Sequence, residues 1–173
     1  AGLVFAGYDG SNSVNSTYEY DGEGWTAGNN LNSARRNAAG SGPTGSQTAA
    51  LSFTGNGSPP SQINKTEEYN GTSWTEVTNF PRAASYLGYA GSQTDAIGFA
   101  GYTSPGASVT TTTGYDGTSW SSRPSMATSR LMYHNNAGTG TSALCFGGET
   151  ATPPITNATE EFSATATVKT ITA

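Results

Sequence analysis

Tyr115-Asp116-Gly117-Thr118-Ser119-Trp120 decides how this chain is read, because the same six-residue arrangement occurs three times. Tyr69-Asn70-Gly71-Thr72-Ser73-Trp74 and Tyr20-Asp21-Gly22-Glu23-Gly24-Trp25 are the other copies, and together they hold all three tryptophans. An aromatic strand end, an Asp-Gly or Asn-Gly pair and a Trp that starts the returning strand describe a tight β-hairpin.

Working outward, four apolar runs end in glycine: Leu3-Val4-Phe5-Ala6-Gly7, Leu51-Ser52-Phe53-Thr54-Gly55, Ile97-Gly98-Phe99-Ala100-Gly101 and Leu144-Cys145-Phe146-Gly147-Gly148. Gly7, Gly55, Gly101 and Gly148 are 48, 46 and 47 residues apart, and the hairpin aromatics Tyr20, Tyr69, Tyr115 and Phe162 follow them by 13, 14, 14 and 14. Such constancy marks a repeat architecture. Each unit divides into four strands: the apolar run, the segment ending in the aromatic, the Trp-led return, and an Arg-led strand (Arg36–Ala39, Arg82–Tyr89, Arg130–Asn135). No segment keeps a helical apolar stripe, so the chain is all-β. The units span about 1–47, 48–93, 94–140 and 141–173 of one repeat region.

Charged residues are 11% of the chain, fewer than half the usual share, while aromatics reach 10% and recur at fixed places, which favours many short strands over disorder. Net charge is −5 and no basic run exists to track phosphates, which excludes nucleic acid as the expected partner. No apolar run approaches the roughly 20 residues of a membrane-spanning helix. The single cysteine, Cys145, lies in an apolar run and reads as a buried inert thiol. One His and one Cys cannot build a zinc site, and His134 reads as a packed side chain. No cofactor is expected.

An apolar strand ending in Gly-Gly (Gly147-Gly148), then a Tyr, a Trp and an Arg before the next unit, resembles the kelch repeat. Tyr-Asp-Gly-Thr-Ser-Trp and Ala-Gly-Ser-Gln-Thr (Ala90–Thr94) resemble more closely the Gly/Thr/Ser-rich kelch-like repeats in virion structural proteins of tailed phages, particularly those of marine bacteria and cyanobacteria. That resemblance implies a β-propeller with four-stranded antiparallel blades, about four in this chain. The first blade lacks its opening strand, so an upstream segment or a second subunit is expected to complete it. Ala1 begins inside a strand-like pattern, and the chain is expected to be the C-terminal part of a longer one.

The recurrence of Trp25, Trp74 and Trp120, and of Arg36, Arg82 and Arg130, points to blade building rather than chemistry. Glu67-Glu68 and Glu160-Glu161 are adjacent strand residues on opposite faces, and neither pair is a catalytic dyad in itself. Function is therefore expected on the side carrying the long connections, where Tyr8, Asn12, Asn29, Asn30, Tyr102 and Thr103 are the candidate binding residues. The expected role is a non-enzymatic virion fibre, decoration or tail-associated module that contacts other virion proteins or a host-surface glycan. A cellular or secreted (extracellular) kelch-type interaction or carbohydrate-binding module is the alternative, and a propeller glycoside hydrolase a more distant one.

Overall fold

The computed structural model describes residues 1–41, 46–58, 61–103, 106–133, 136–150, 155–164 and 169–171. Among these residues there is no helix. The first unit is a three-stranded antiparallel sheet of β1 (Gly2–Phe5), β2 (Thr17–Tyr20) and β3 (Trp25–Gly28). The second is a four-stranded meander of β4 (Ala39–Ser41), β5 (Ala50–Phe53), β6 (Thr66–Tyr69) and β7 (Trp74–Val77). Between β7 and the next meander lies the short β8 (Ala84–Ser85). The third unit contains β9 (Gly88–Gly91), β10 (Ala96–Phe99), β11 (Tyr102–Thr103), β12 (Ala107–Ser108), β13 (Thr112–Tyr115) and β14 (Trp120–Arg123). Its main sheet runs β14-β13-β10-β9, while β11 pairs with β12 and β8 in a small ribbon. The fourth is the meander β15 (Asn136–Gly138), β16 (Ser142–Phe146), β17 (Thr159–Ser163) and β18 (Lys169–Ile171).

The Arg-led strands begin later than the sequence suggests, at Ala39, Gly88 and Asn136. The backbone just before them is already engaged: Arg36 bridges Asn56, Leu131 bridges Glu149 and Ala84–Ser85 pairs with β11. Asn37 (φ 51°) and Tyr86 (φ 57°) then turn the chain through left-handed conformations before the sheet strand can start. Asn135, His134 and Thr167 lie outside the described residues.

The hairpin device works as its composition suggests. Asp21, Asn70 and Asp116 each use Oδ1 to accept two backbone N–H bonds, from Glu23 and Gly24, Thr72 and Ser73, and Thr118 and Ser119, at 2.7–2.9 Å. Gly22, Gly71 and Gly117 take positive φ in these turns. At the ends of the apolar runs two successive residues adopt positive φ, Ala6-Gly7, Thr54-Gly55, Ala100-Gly101 and Gly147-Gly148. A Cβ on Gly55 would meet the carbonyl of Arg36 at 2.9 Å, so close approach as well as φ requires glycine there.

Because strands alternate, each sheet presents one face to the unit before it and one to the unit after. Phe5 with Leu3 packs against Ala50, Tyr69 and Trp74, and Leu51 with Phe53 packs against Ala96, Tyr115 and Trp120. The third joint is built from Ile97, Phe99, Met126, Ala143, Cys145 and Phe162, around a void of about 20 Å³. Each joint is thus an aromatic strand end of one unit against the face of the next.

Candidate functional site

Connecting segments of successive units are linked by backbone bonds, Tyr86 N–H to the Asn37 carbonyl at 3.1 Å and Met132 N–H to the Tyr86 carbonyl at 2.8 Å. These three residues occupy equivalent places, just ahead of β4, β9 and β15, on the side that carries the long connections. Between them Asn37, Ala38, Tyr86, Leu87, Met132 and Tyr133 line a cavity of about 30 Å³, room for about one or two waters. Tyr86 and Tyr133 meet edge to face with centroids 5.4 Å apart. Tyr133, 48% exposed, donates its hydroxyl to Glu149 Oε2 at 2.8 Å. That bond, with a smaller contribution from burial, pushes the Tyr133 hydroxyl up to about 12, so it remains a donor at neutral pH.

Glu149 is held in place by its own backbone, which bridges Leu131 and Ile155. The arrangement offers an open aromatic face, a polarised hydroxyl and a carboxylate beside a small recess. It can bind a ligand with both apolar faces and hydroxyls. Among the described residues no group of three or more His, Cys, Asp or Glu side chains converges as a metal site would require.

The residues singled out from sequence are distributed around this side rather than gathered. Tyr8 is exposed and lies under the Arg36 guanidinium, 4.3 Å from its ring centroid. Asn12 closes a turn on Asp9, whose Oδ1 accepts the Asn12 and Ser11 N–H groups at 2.7 and 2.8 Å and is held below the usual carboxylate range by them. Asn29 donates to the Thr72 carbonyl at 2.7 Å, tied to the hairpin turn of the next unit, and Asn30 beside it is exposed. Tyr102 and Thr103 are half-buried in the β8-β11-β12 ribbon. Tyr86, Tyr133 and Glu149, which do come together, carry no repeated signature.

The repeat residues have distinct fates. Trp74 is 6% exposed, packs edge-on against Phe5 at 4.8 Å and donates its indole N–H to Thr17 Oγ1 at 2.9 Å. Trp120 lies 4.9 Å from Phe53 and donates to the Thr78 carbonyl at 3.0 Å. Trp25, on the outward face of the sheet formed by β1, β2 and β3, is 54% exposed.

Among the arginines, Arg35 rather than Arg36 makes the repeated contact. Its guanidinium is fully buried against Glu67 and bonds the Thr54 and Lys65 carbonyls. Arg130 pairs with Glu160 and bonds the Gly147 and Ala158 carbonyls in the same pattern. Each carboxylate also accepts backbone N–H groups of the incoming connection, Asn32 and Ser33 on Glu67, and Ala127 and Thr128 on Glu160. Glu67 and Glu160 are thereby occupied as structural latches, while Glu68 accepts the Tyr115 hydroxyl at 2.9 Å.

Arg82 reaches the Ala100 and Thr111 carbonyls from further back in its connection, with Thr113 in place of a carboxylate. Burial without that partner lowers its pKa to about 10. Gln47 and Gln93 explain the Gly-Ser-Gln-Thr signature: each amide donates to two carbonyls of the preceding unit, Gly2 and Tyr20, then Ala50 and Tyr69.

No family model and no curated protein matches the sequence. Among solved structures, "Structure of YjhT" superposes with a TM-score of 0.75 over 92% of this chain at 12% sequence identity. This chain spans 52% of that one, about half its length. At that identity the likeness is one of fold: an all-β chain of successive antiparallel sheets, consistent with a propeller-like architecture.

Proposed function

We propose that the successive sheets are blades of a kelch-like β-propeller and that the chain is a non-enzymatic binding module of a virion, engaging a host-surface glycan at the mouth formed by Tyr86, Tyr133 and Glu149. The observation that carries the binding reading is the exposed Tyr133, its hydroxyl set by Glu149 and its ring backed by Tyr86. A rigid aromatic face with adjacent acceptors suits the C–H faces and hydroxyls of a sugar, at little cost in side-chain entropy. The propeller reading is supported by the meander order, the constant period and the backbone bonds linking Asn37, Tyr86 and Met132. The virion assignment rests on the resemblance of the Tyr-Asp-Gly-Thr-Ser-Trp and Ala-Gly-Ser-Gln-Thr signatures. Three of the carboxylates that repeat with the period, Glu67, Glu160 and Glu68, are engaged with Arg35, Arg130 and Tyr115, which favours binding over hydrolysis.

An array of bacterial surface polysaccharides tests this. The expected result is binding without release of reducing ends, weakened about tenfold or more in Tyr133→Ala. Binding to none of them, binding untouched by that substitution, or release of reducing ends would contradict the reading.

A further inference from the structure

Three hairpin turns share one pattern of side-chain bonds, and one of the three carries an amide where the others carry a carboxylate. Asp21 and Asp116 each accept two backbone N–H groups on Oδ1. Asn70 accepts the N–H groups of Thr72 and Ser73 on its Oδ1 in the same way, both at 2.9 Å. The turn is clamped from the preceding unit, where Asn29 donates to the Thr72 carbonyl at 2.7 Å. Asn70 is exposed, and Gly71 follows it without a Cβ to shield its nitrogen. Among the described residues the Gly71 N–H makes no hydrogen bond.

Asn56 is the one other asparagine that precedes a glycine, and its surroundings differ. It exchanges two backbone bonds with Arg36, at 2.7 and 2.9 Å, and Ser13 Oγ donates to the Asn56 and Gly57 carbonyls. Gly57 is buried and donates its N–H to the Ser61 carbonyl at 2.9 Å. The nitrogen that follows Asn56 is thus engaged, where the nitrogen that follows Asn70 is open to react.

We propose that Asn70 is a site of self-modification, at which the Gly71 nitrogen closes on the Asn70 side chain and water then converts the asparagine to aspartate. The Gly71 nitrogen gives its proton to hydroxide and bonds to Asn70 Cγ. Negative charge gathers on Oδ1, where the Thr72 and Ser73 N–H groups already point, an arrangement equivalent to an oxyanion hole. The Cγ–Nδ2 bond then breaks. Ammonia leaves with a proton taken from water, which regenerates hydroxide, and a five-membered succinimide remains. Water adding at Cγ breaks the new bond to Gly71 and gives aspartate on an ordinary backbone, whereas water adding at the Asn70 backbone carbonyl gives isoaspartate. The same two N–H groups polarise Cγ and not the backbone carbonyl, so aspartate is the favoured product. The sum is asparagine plus water to aspartate plus ammonia, and the chain's charge falls by one from −5. Asp21 and Asp116 show the turn that results. The backbone N–H bonds they accept hold both carboxyls below the usual carboxylate range, and an ionised carboxylate resists renewed ring closure.

Peptide mapping of the folded chain by mass spectrometry, after ageing at mildly alkaline pH, tests the proposal, with fragmentation that separates aspartate from isoaspartate. The expected result is conversion at Asn70 that runs about tenfold or more ahead of Asn56, with aspartate in excess. In denaturant, where the turn bonds and the protection of Gly57 are both lost, the two asparagines should convert at similar rates and the Asn70 product should shift toward isoaspartate. Asn70→Asp, which makes the product directly, should melt no lower than wild type. No conversion at Asn70 in the folded chain, conversion at Asn56 that keeps pace with it, a product ratio at Asn70 that folding does not change, or a lower melting temperature for Asn70→Asp would overturn it.

Discussion

Trp74 and Trp25 hold the same place in consecutive units, yet one is 6% exposed and the other 54%. The difference does not come from the hairpins, which share the same turn bonds to Asn70 and Asp21. It comes from what lies in front. Trp74 meets Phe5 and the Thr17 hydroxyl, Tyr69 beside it meets Glu19, and Glu67 is latched to Arg35. In the first unit Tyr18 stands where Glu67 stands in the second, and Val4, Tyr18 and Trp25 on the same face are exposed. A unit of this kind is complete only when a neighbour supplies half of its core, as in other repeat proteins.

The contrast can be broken most severely at the latch. Glu67→Ala should cost on the order of 5 kcal/mol, because it strands the buried Arg35 charge and removes the acceptor for the Asn32 and Ser33 amides. Denaturant unfolding should show a large loss in midpoint. The open first sheet has no equivalent residue to lose.

Next comes the aromatic joint itself. Trp74→Ala should cost about 3–5 kcal/mol, whereas Trp25→Ala in dilute solution should stay within about 0.5 kcal/mol. Equal losses at the two positions would mean that the interior and the end do not differ as described.

A smaller effect separates the two hydroxyls. Burial and the Glu19 bond push Tyr69 up to about 12, so its folded state holds a proton that the unfolded chain releases near 10. The stability this gives is complete below pH about 10 and is lost as pH rises toward 12. Tyr69→Phe should cost about 1–2 kcal/mol at neutral pH and flatten part of the alkaline fall in melting temperature. Tyr20, whose hydroxyl bonds its own turn at Gly22, should show no comparable change on Tyr20→Phe.

The smallest test uses a device that both regions share. Thr54 is buried at φ 59° with no partner for its hydroxyl, and Ala6 sits at φ 62°. Left-handed φ costs about 1–2 kcal/mol for a residue with a Cβ. Part of that returns on substitution by glycine, so Thr54→Gly and Ala6→Gly should each raise the melting temperature slightly. The fourth unit already has Gly147 at this place.

The sequence showed the scaffold well because its determinants repeat. The Trp-led returns, the closing glycines and the aromatic partners are periodic, so each copy vouches for the others. Arg35 escaped because Arg36 stands beside it, and only the bridge from Arg36 to Asn56 reveals which of the two turns inward. Arg82 sits further back in its connection than Arg35 or Arg130, which hides that its side chain ends in the same place. Tyr86, Tyr133 and Glu149 escaped for the opposite reason. They are unrepeated, and their proximity depends on the left-handed turn at Tyr86 and on the bridge at Glu149, neither of which has a local sequence signal.

Acrylamide quenching of tryptophan fluorescence, read in dilute solution as the difference between wild type and each of Trp25→Phe, Trp74→Phe and Trp120→Phe, tests the central claim most directly. Units that complete one another's cores predict a Trp25 signal quenched nearly as freely as an exposed indole, with Trp74 strongly shielded and Trp120 between them. Equal accessibility of Trp25 and Trp74 would contradict the account.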